Sequence, residues 1–153
     1  MRPRVPFLDL KKSFFGMRIR LFFSVCQALR DRSFILGPQV AEFETKFARY
    51  LRASGVVGVG NGTDGLEIAL EALGFPPESE VIVPANSFVA TAEAVVNSGH
   101  KVVFADVRDD GVINHDDVRQ KISVRTVALI HVHMYGNPSG ILESVKLTKD
   151  LGI

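Results

Sequence analysis

The residues best suited to chemistry are Gly60-Asn61-Gly62-Thr63-Asp64-Gly65, which set three glycines beside a hydroxyl and a carboxylate. An apolar run, Val56 to Val59, leads in, and a helical pattern of Leu66, Ala69, Leu70 and Leu73 leads out. Strand, glycine-rich turn and helix in that order make an anion site. The first N–H groups of a helix have no intrahelical partner, the dipole is positive there, and glycines let a phosphate approach the backbone. The Thr63 hydroxyl adds a donor. A tight turn explains the same residues, with Thr63 or Asp64 as N-cap and Glu67 completing a capping box begun by Asp64. The residues alone leave both readings open.

The six residues also spell G-x-G-x-x-G, the letters of a dinucleotide site. Such a site needs an acid at the end of the second strand to hold the ribose. Here that strand ends in Pro84-Ala85-Asn86, and Glu80 stands at its beginning, which argues against a nicotinamide cofactor. Pro84-Ala85-Asn86-Ser87-Phe88 follows on the carboxy-terminal sheet edge, where open α/β folds bind ligands. The Phe88 ring has the shape to cover a flat heterocycle, although core packing at a helix start is the simpler reading of a lone phenylalanine. Ser87 as an N-cap needs no ligand.

His131 and His133, two apart on the last apolar run, are expected to share one strand face. A third ligand is missing nearby, so no metal site is expected, and His133 beside Tyr135-Gly136 reads as a pocket-wall or hydrogen-bonding histidine. His100 and His115 read as loop residues, and Cys26 as helix packing.

Elements of alternating type must position these residues. An extended start at Val5 to Leu10 precedes a helix from about Ser13 to Asp31, a turn at Phe34 to Pro38, and an amphipathic helix from Gln39 to Leu51. Val56 to Val59, Val81 to Val83, Val102 to Ala105 and Val127 to Val132 read as strands. Leu66 to Leu73, Phe88 to Asn97, Asp116 to Ile122 and Ile141 to Leu151 read as helices, with Gly74, Gly99 and Gly152 as stops. The alternation predicts a three-layer α/β/α fold with a mainly parallel, buried sheet.

Composition narrows the function classes. A chain of 153 residues, 46% hydrophobic and 23% charged, fits an ordinary soluble domain with a sizeable core. Eighteen basic against 17 acidic residues leave a net charge of +1, so no nucleic acid or anionic lipid partner is expected. The single cysteine rules out an internal disulfide and fits a reducing, cytoplasmic setting. The apolar stretch from Phe14 to Val25 is broken by Arg18 and Arg20, so neither a membrane span nor a secretory signal is expected. Its four phenylalanines exceed what one buried helix face needs and point to a contact outside the segment.

Five blocks in order resemble the DegT/DnrJ/EryC1/StrS group of sugar-nucleotide aminotransferases. They are Val5-Pro6-Phe7-Leu8-Asp9-Leu10; Phe34-Ile35-Leu36-Gly37-Pro38 with Phe43-Glu44; Gly60-Asn61-Gly62-Thr63-Asp64; Val81-Ile82-Val83-Pro84-Ala85-Asn86-Ser87-Phe88; and His133-Met134-Tyr135-Gly136. The resemblance implies a fold-type I, homodimeric enzyme that uses pyridoxal 5'-phosphate to move an amino group, usually from glutamate, to a nucleotide-linked keto-sugar in polysaccharide or secondary-metabolite biosynthesis. It also implies that Gly62, Thr63 and Asp64 hold the cofactor phosphate and that Phe88 stacks on its pyridine ring. Residues 1–53 then form a helical segment that packs in the dimer or on the cofactor domain, and residues 54–153 the first part of that large domain.

The same resemblance places the Schiff-base lysine, and the aspartate facing the pyridine nitrogen, past Ile153. Lys146 and Lys149 fall on the last helix and match neither. The chain is therefore expected to be an amino-terminal portion carrying a partial pocket, with no catalytic residue and no activity by itself. Because the strand matching Val56 to Val59 pairs in the family with a late strand, the polypeptide alone is also expected to be poorly folded or aggregation-prone. Two alternatives remain: a non-catalytic paralogue acting as a binding or regulatory module, and a sugar dehydratase of the same family. Gly65, where alanine is common in the family, is a departure that loosens the first helical turn.

Overall fold

The computed structural model describes residues 10–32 and 34–153, so the extended start and first family block, Leu10 apart, lie outside the described residues. The chain divides into two compact units, Met1–Gly58 and Val59–Ile153.

The first unit holds α1 (Lys11–Asp31) and α2 (Pro38–Leu51). Pro38 occupies the first turn of α2, where a missing N–H costs nothing and the fixed φ suits the helix. Phe43, Phe47 and Tyr50 recur at three- and four-residue spacing and stack along one stripe, with centroids 5.4 and 6.2 Å apart. Glu42 and Lys46 pair on the polar side. On α1, Phe14, Phe15, Phe22 and Phe23 are all at least 60% exposed, so none of the four is a buried residue within the unit. Cys26, expected to pack, is exposed. Val56 to Val59 is not among the three strands formed by the described residues. Its Gly58 N–H instead donates to Glu44 Oε1 at 2.7 Å. A strand exists only through its ladder, and β-branched residues alone do not make one.

The second unit is built around β1 (Glu80–Pro84), flanked in parallel by β2 (Lys101–Ala105) and β3 (Thr126–Leu129) in the order β2-β1-β3. Every residue of β1 is buried, as a central parallel strand requires. Its side chains alternate between two cores. Val81 and Val83 meet Leu70 of α3 (Gly62–Ala72) and Ala94 and Val95 of α4 (Ala90–Asn97). Ile82 points the other way, to Val118 of α5 (His115–Lys121) and Leu147 of α6 (Ile141–Leu151). This is the three-layer α/β/α arrangement with a parallel sheet that the alternation predicts. Gly74, Gly99 and Gly152 end their helices at positive φ, the conformation a stop of this kind uses. The last apolar run makes a shorter strand than its letters suggest: after Leu129, Ile130 N–H still bonds Ile82 O at 2.9 Å, and then the ladder ends.

Glu80 does not supply the carboxy-terminal acid of a dinucleotide fold. It sits at the opposite end of β1, buried, accepting from Ser123 Oγ and from Arg125 Nε and Nη2 at 2.9 and 2.6 Å. The Ser123 hydroxyl first, and then Arg125, hold its carboxyl below the usual carboxylate range against the opposing effect of burial. It fastens the start of β1 to the Ser123–Arg125 turn ahead of β3.

Ile82→Ala removes a side chain with no exposed surface and is expected to cost about 2–5 kcal/mol in urea unfolding. Val124→Ala, at a fully exposed position, is expected to stay within about 0.5 kcal/mol of the parent.

Candidate functional site

Asn61, rather than Thr63 or Asp64, caps α3, and the reason is local. Asn61 has extended backbone angles, and its Oδ1 accepts the Asp64 N–H at 3.0 Å. Its Nδ2 returns the bond by donating to Asp64 Oδ1, also at 3.0 Å. The reciprocal pair is therefore Asn61 with Asp64, three residues apart. Glu67 is drawn away to accept from Asn97 Nδ2 of the neighbouring α4, so the capping box expected from Asp64 and Glu67 does not form. Gly65 N–H closes on Asn61 O at 3.2 Å.

The Asn61 side chain thus satisfies one of the four amino-terminal donors of the helix, the Asp64 N–H, while Gly65 N–H to Asn61 O is the first bond of the helix itself. The N–H groups of Gly62 and Thr63 and the Thr63 hydroxyl have no hydrogen-bond partner among the described residues. A Cβ built on Gly62 would meet nothing within 4 Å, and Gly62 is exposed, so the helix start is open at this residue. Gly60 is different. A Cβ there would sit 2.6 Å from Asp64 Oδ2, which means the carboxylate rests against the glycine backbone. Three donors on an open helix end, with the dipole behind them, form a cradle suited to a phosphate. The one nearby acid is turned into the loop by Asn61.

Phe88 lies four residues past the carboxy-terminal end of β1, 74% exposed, and makes no ring contact among the described residues. Core packing does not account for it. Ala85 N–H bonds Ala105 O at 2.8 Å, which carries the sheet one residue further before the chain turns away. Ser87 does not cap α4; its hydroxyl pairs with Thr91 Oγ1 at 2.7 Å, and the cap position is Val89. No hydrogen bond or ring contact joins Phe88 to the 60–65 turn. What relates them is the packing of α3 on α4, through Asn97 to Glu67 and through Leu70 against Ala94 and Val95.

His131 and His133 are not strand residues, because β3 ends at Leu129. Their rings still meet edge to face, with centroids 5.3 Å apart. No group of three metal-binding side chains occurs among the described residues. Tyr135 stands almost fully exposed in a short 3₁₀ turn, Met134–Gly136, at φ 53°. Sequence reasoning missed His115. It opens α5, is buried, and contacts Ser144. The signal available was Asn114, whose side chain caps that helix by accepting from the N–H groups of Asp116 and Asp117.

No described helix is long and apolar enough to cross a membrane.

Known proteins resemble the chain over nearly its whole length. The family model described as the DegT/DnrJ/EryC1/StrS aminotransferase family matches residues 20–153. Among curated relatives, dTDP-3-amino-3,4,6-trideoxy-alpha-D-glucose transaminase of Streptomyces venezuelae is 38% identical over 90% of the chain. UDP-N-acetyl-3-dehydro-alpha-D-glucosamine 3-aminotransferase of Acidithiobacillus ferrooxidans is 37% identical over 97%. The chain covers 36% and 41% of those proteins, about two fifths of their length. Among solved structures, DesV of S. venezuelae in complex with a ketimine intermediate superposes with a TM-score of 0.91 at 35% identity, across 99% of this chain and 41% of that one. NtdA of Bacillus subtilis with bound cofactor PMP gives 0.90 at 30% identity, across 98% and 35%.

Asn61→Ala removes the α3 cap and is expected to cost about 1 kcal/mol. Gly65→Ala is expected to stabilise by about 0.5–1 kcal/mol, since its new Cβ meets only Val59 Cγ2 at an ordinary 3.5 Å. Urea unfolding of both variants beside the parent checks the two signs.

Proposed function

The chain belongs to the DegT/DnrJ/EryC1/StrS aminotransferase family, and on that premise we propose that it carries one side of a pyridoxal 5'-phosphate pocket in an enzyme that aminates a nucleotide-linked keto-sugar. The observation that carries this reading is the cradle at the start of α3: the free N–H groups of Gly62 and Thr63 and the free Thr63 hydroxyl on an open helix end.

In this reading Gly62 and Thr63 hold the cofactor phosphate through those three donors. Asp64 serves the site by holding the turn with Asn61, its own N–H being already used. Phe88, exposed at the carboxy-terminal edge of the sheet, would cover one face of the pyridine ring and keep water from it. When bound, the cofactor supplies an electron sink for carbanion chemistry. The residues of this chain bind and orient; they do not relay the proton. Lys146 and Lys149 lie exposed on α6 and are not candidates for that task.

Glutamate as amino donor, a homodimer, a cytoplasmic setting and a role in polysaccharide or secondary-metabolite biosynthesis complete the reading. It draws support from the aminotransferases of nucleotide-linked sugars among the relatives and from the PMP-bound neighbour. The division into a helical segment and a cofactor-binding unit is part of the same proposal.

Binding of pyridoxal phosphate and of unphosphorylated pyridoxal, compared by fluorescence or absorbance titration, tests it. Thr63→Ala removes one donor to a charged group, worth about 1.5–3 kcal/mol, and is expected to weaken the phosphate ester by roughly 10- to 100-fold while barely changing pyridoxal. Phe88→Ala is expected to weaken both alike. Equal loss of the two ligands in Thr63→Ala would refute the phosphate placement.

A further inference from the structure

Away from the cradle, three polar side chains from separate segments meet in the interior of the second unit. They are His115 at the start of α5, His131 two residues past β3, and Ser144 in α6. His115 Nε2 and His131 Nδ1 each lie 2.8 Å from the one Ser144 hydroxyl. His115 is 2% exposed and Ser144 3%. Glu143 Oε2 approaches His115 Nδ1 to 3.2 Å, at ion-pair range though off the hydrogen-bond axis, and Arg108 Nη1 stands 3.9 Å from that carboxylate. His131 Nε2 is buried with no hydrogen-bond partner among the described residues. Gly140, at φ +78°, closes over the rings: a Cβ there would lie 2.6 Å from Val112 Cγ1, 3.2 Å from His115 Cε1 and 3.6 Å from His131 Cε1.

Counting protons fixes the arrangement. A hydroxyl donates once and can accept twice, so with both rings neutral at most one facing nitrogen accepts from Ser144, and any other donates to it. Glu143 decides which. A carboxylate beside His115 Nδ1 favours a proton there, so His115 Nε2 is the acceptor and His131 Nδ1–H the donor. His131 Nε2 is then a bare lone pair in a dry place. The opposite choice would set the bare Nδ1 of His115 against the Glu143 carboxylate. An added proton makes an imidazolium in a buried place, which desolvation disfavours while the cluster is closed.

The loop between residues 131 and 140 is fastened at one end by His131 and at the other by Gly140, which packs against the same rings. Its free part carries the exposed His133 and Tyr135 at the carboxy-terminal edge of the sheet. We propose that His115, Ser144 and His131 form an acid-sensitive latch that fastens this loop to α5 and α6, and that uptake of one proton releases it.

Burial holds both imidazoles below the ordinary histidine value. Around His115, Glu143 and Asp116 oppose that shift, and Arg108 and Arg119 add to it. Around His131, His133 and His115 add to it, and the Ser139 backbone opposes it. The sign follows. Where a folded group titrates below its unfolded value, the open state binds the proton first, so the latch is at full strength above about pH 6.5 and weakens as pH falls toward the depressed folded values. Asp110 and Asp117, held below the usual carboxylate range by Arg108 and Lys121, stay ionised through this window. None of this depends on the cofactor reading.

Hydrogen exchange of the intact protein between pH 7.5 and 5.5, together with ¹⁵N spectra of its imidazoles, tests the latch. One proton per opening predicts that protection of residues 131–140 falls by up to roughly tenfold per pH unit below the histidine range, while β1 keeps its protection. At pH 7.5 both rings are expected as neutral Nδ1–H forms. In His115→Gln/His131→Gln the protection of the loop is expected to lose its pH dependence, and Ser144→Ala is expected to open the loop already at pH 7.5. Should the variants fail to fold, the parent still decides: an Nε2–H form on either ring, or loop protection equal at the two pH values, overturns the proposal.

Discussion

Everything in the second unit depends on burying β1. A strand with water on neither face must have both of its faces covered and both of its edges paired, or its backbone and its valines are left without partners. The chain meets that demand with β2 on one side, β3 on the other, α3 and α4 above Val81 and Val83, and α5 and α6 below Ile82. The carboxy-terminal end of β1 is thereby forced to the sheet edge. Phe88 is exposed there because the chain has just left the sheet and has not yet entered α4.

The same economy of partners shapes the turn before α3. A helix start offers more donors than its own backbone can satisfy. The Asn61 side chain takes one, that of Asp64, and the N–H groups of Gly62 and Thr63, with the Thr63 hydroxyl, are left without a partner among the described residues. Capping and anion binding, which compete as explanations when only the letters are considered, therefore coexist. The cap fixes the geometry of the turn, and the leftover donors are what an anion can use.

The two helices of the first unit present the opposite situation. Their aromatic residues make contacts along each helix, as in the Phe43, Phe47 and Tyr50 stripe, but leave most of that surface in water. Apolar area of this kind normally marks contact with further protein. The chain spans about two fifths of the length of the curated relatives it matches.

The sequence by itself determined the layers, the helix stops and the family. Alternation of β-branched runs with helical spacing is written in local order, Gly74, Gly99 and Gly152 mark positions of positive φ, and the family blocks are strings of neighbours. It also overreached where only local evidence was in hand: His131 and His133 lie past the end of their strand, while Val56 to Val59 has strand letters and, as expected of it without a late partner strand, no ladder. The tertiary structure alone decided that Glu67 serves α4 rather than the α3 cap, that Glu80 pairs with Arg125, and that His115 and His131 share the Ser144 hydroxyl. Those partners lie 13 to 45 residues apart in the chain. Such distances are closed by the sheet register and the packing of helices on its two faces, and no local spacing encodes which polar atoms then arrive at the same point.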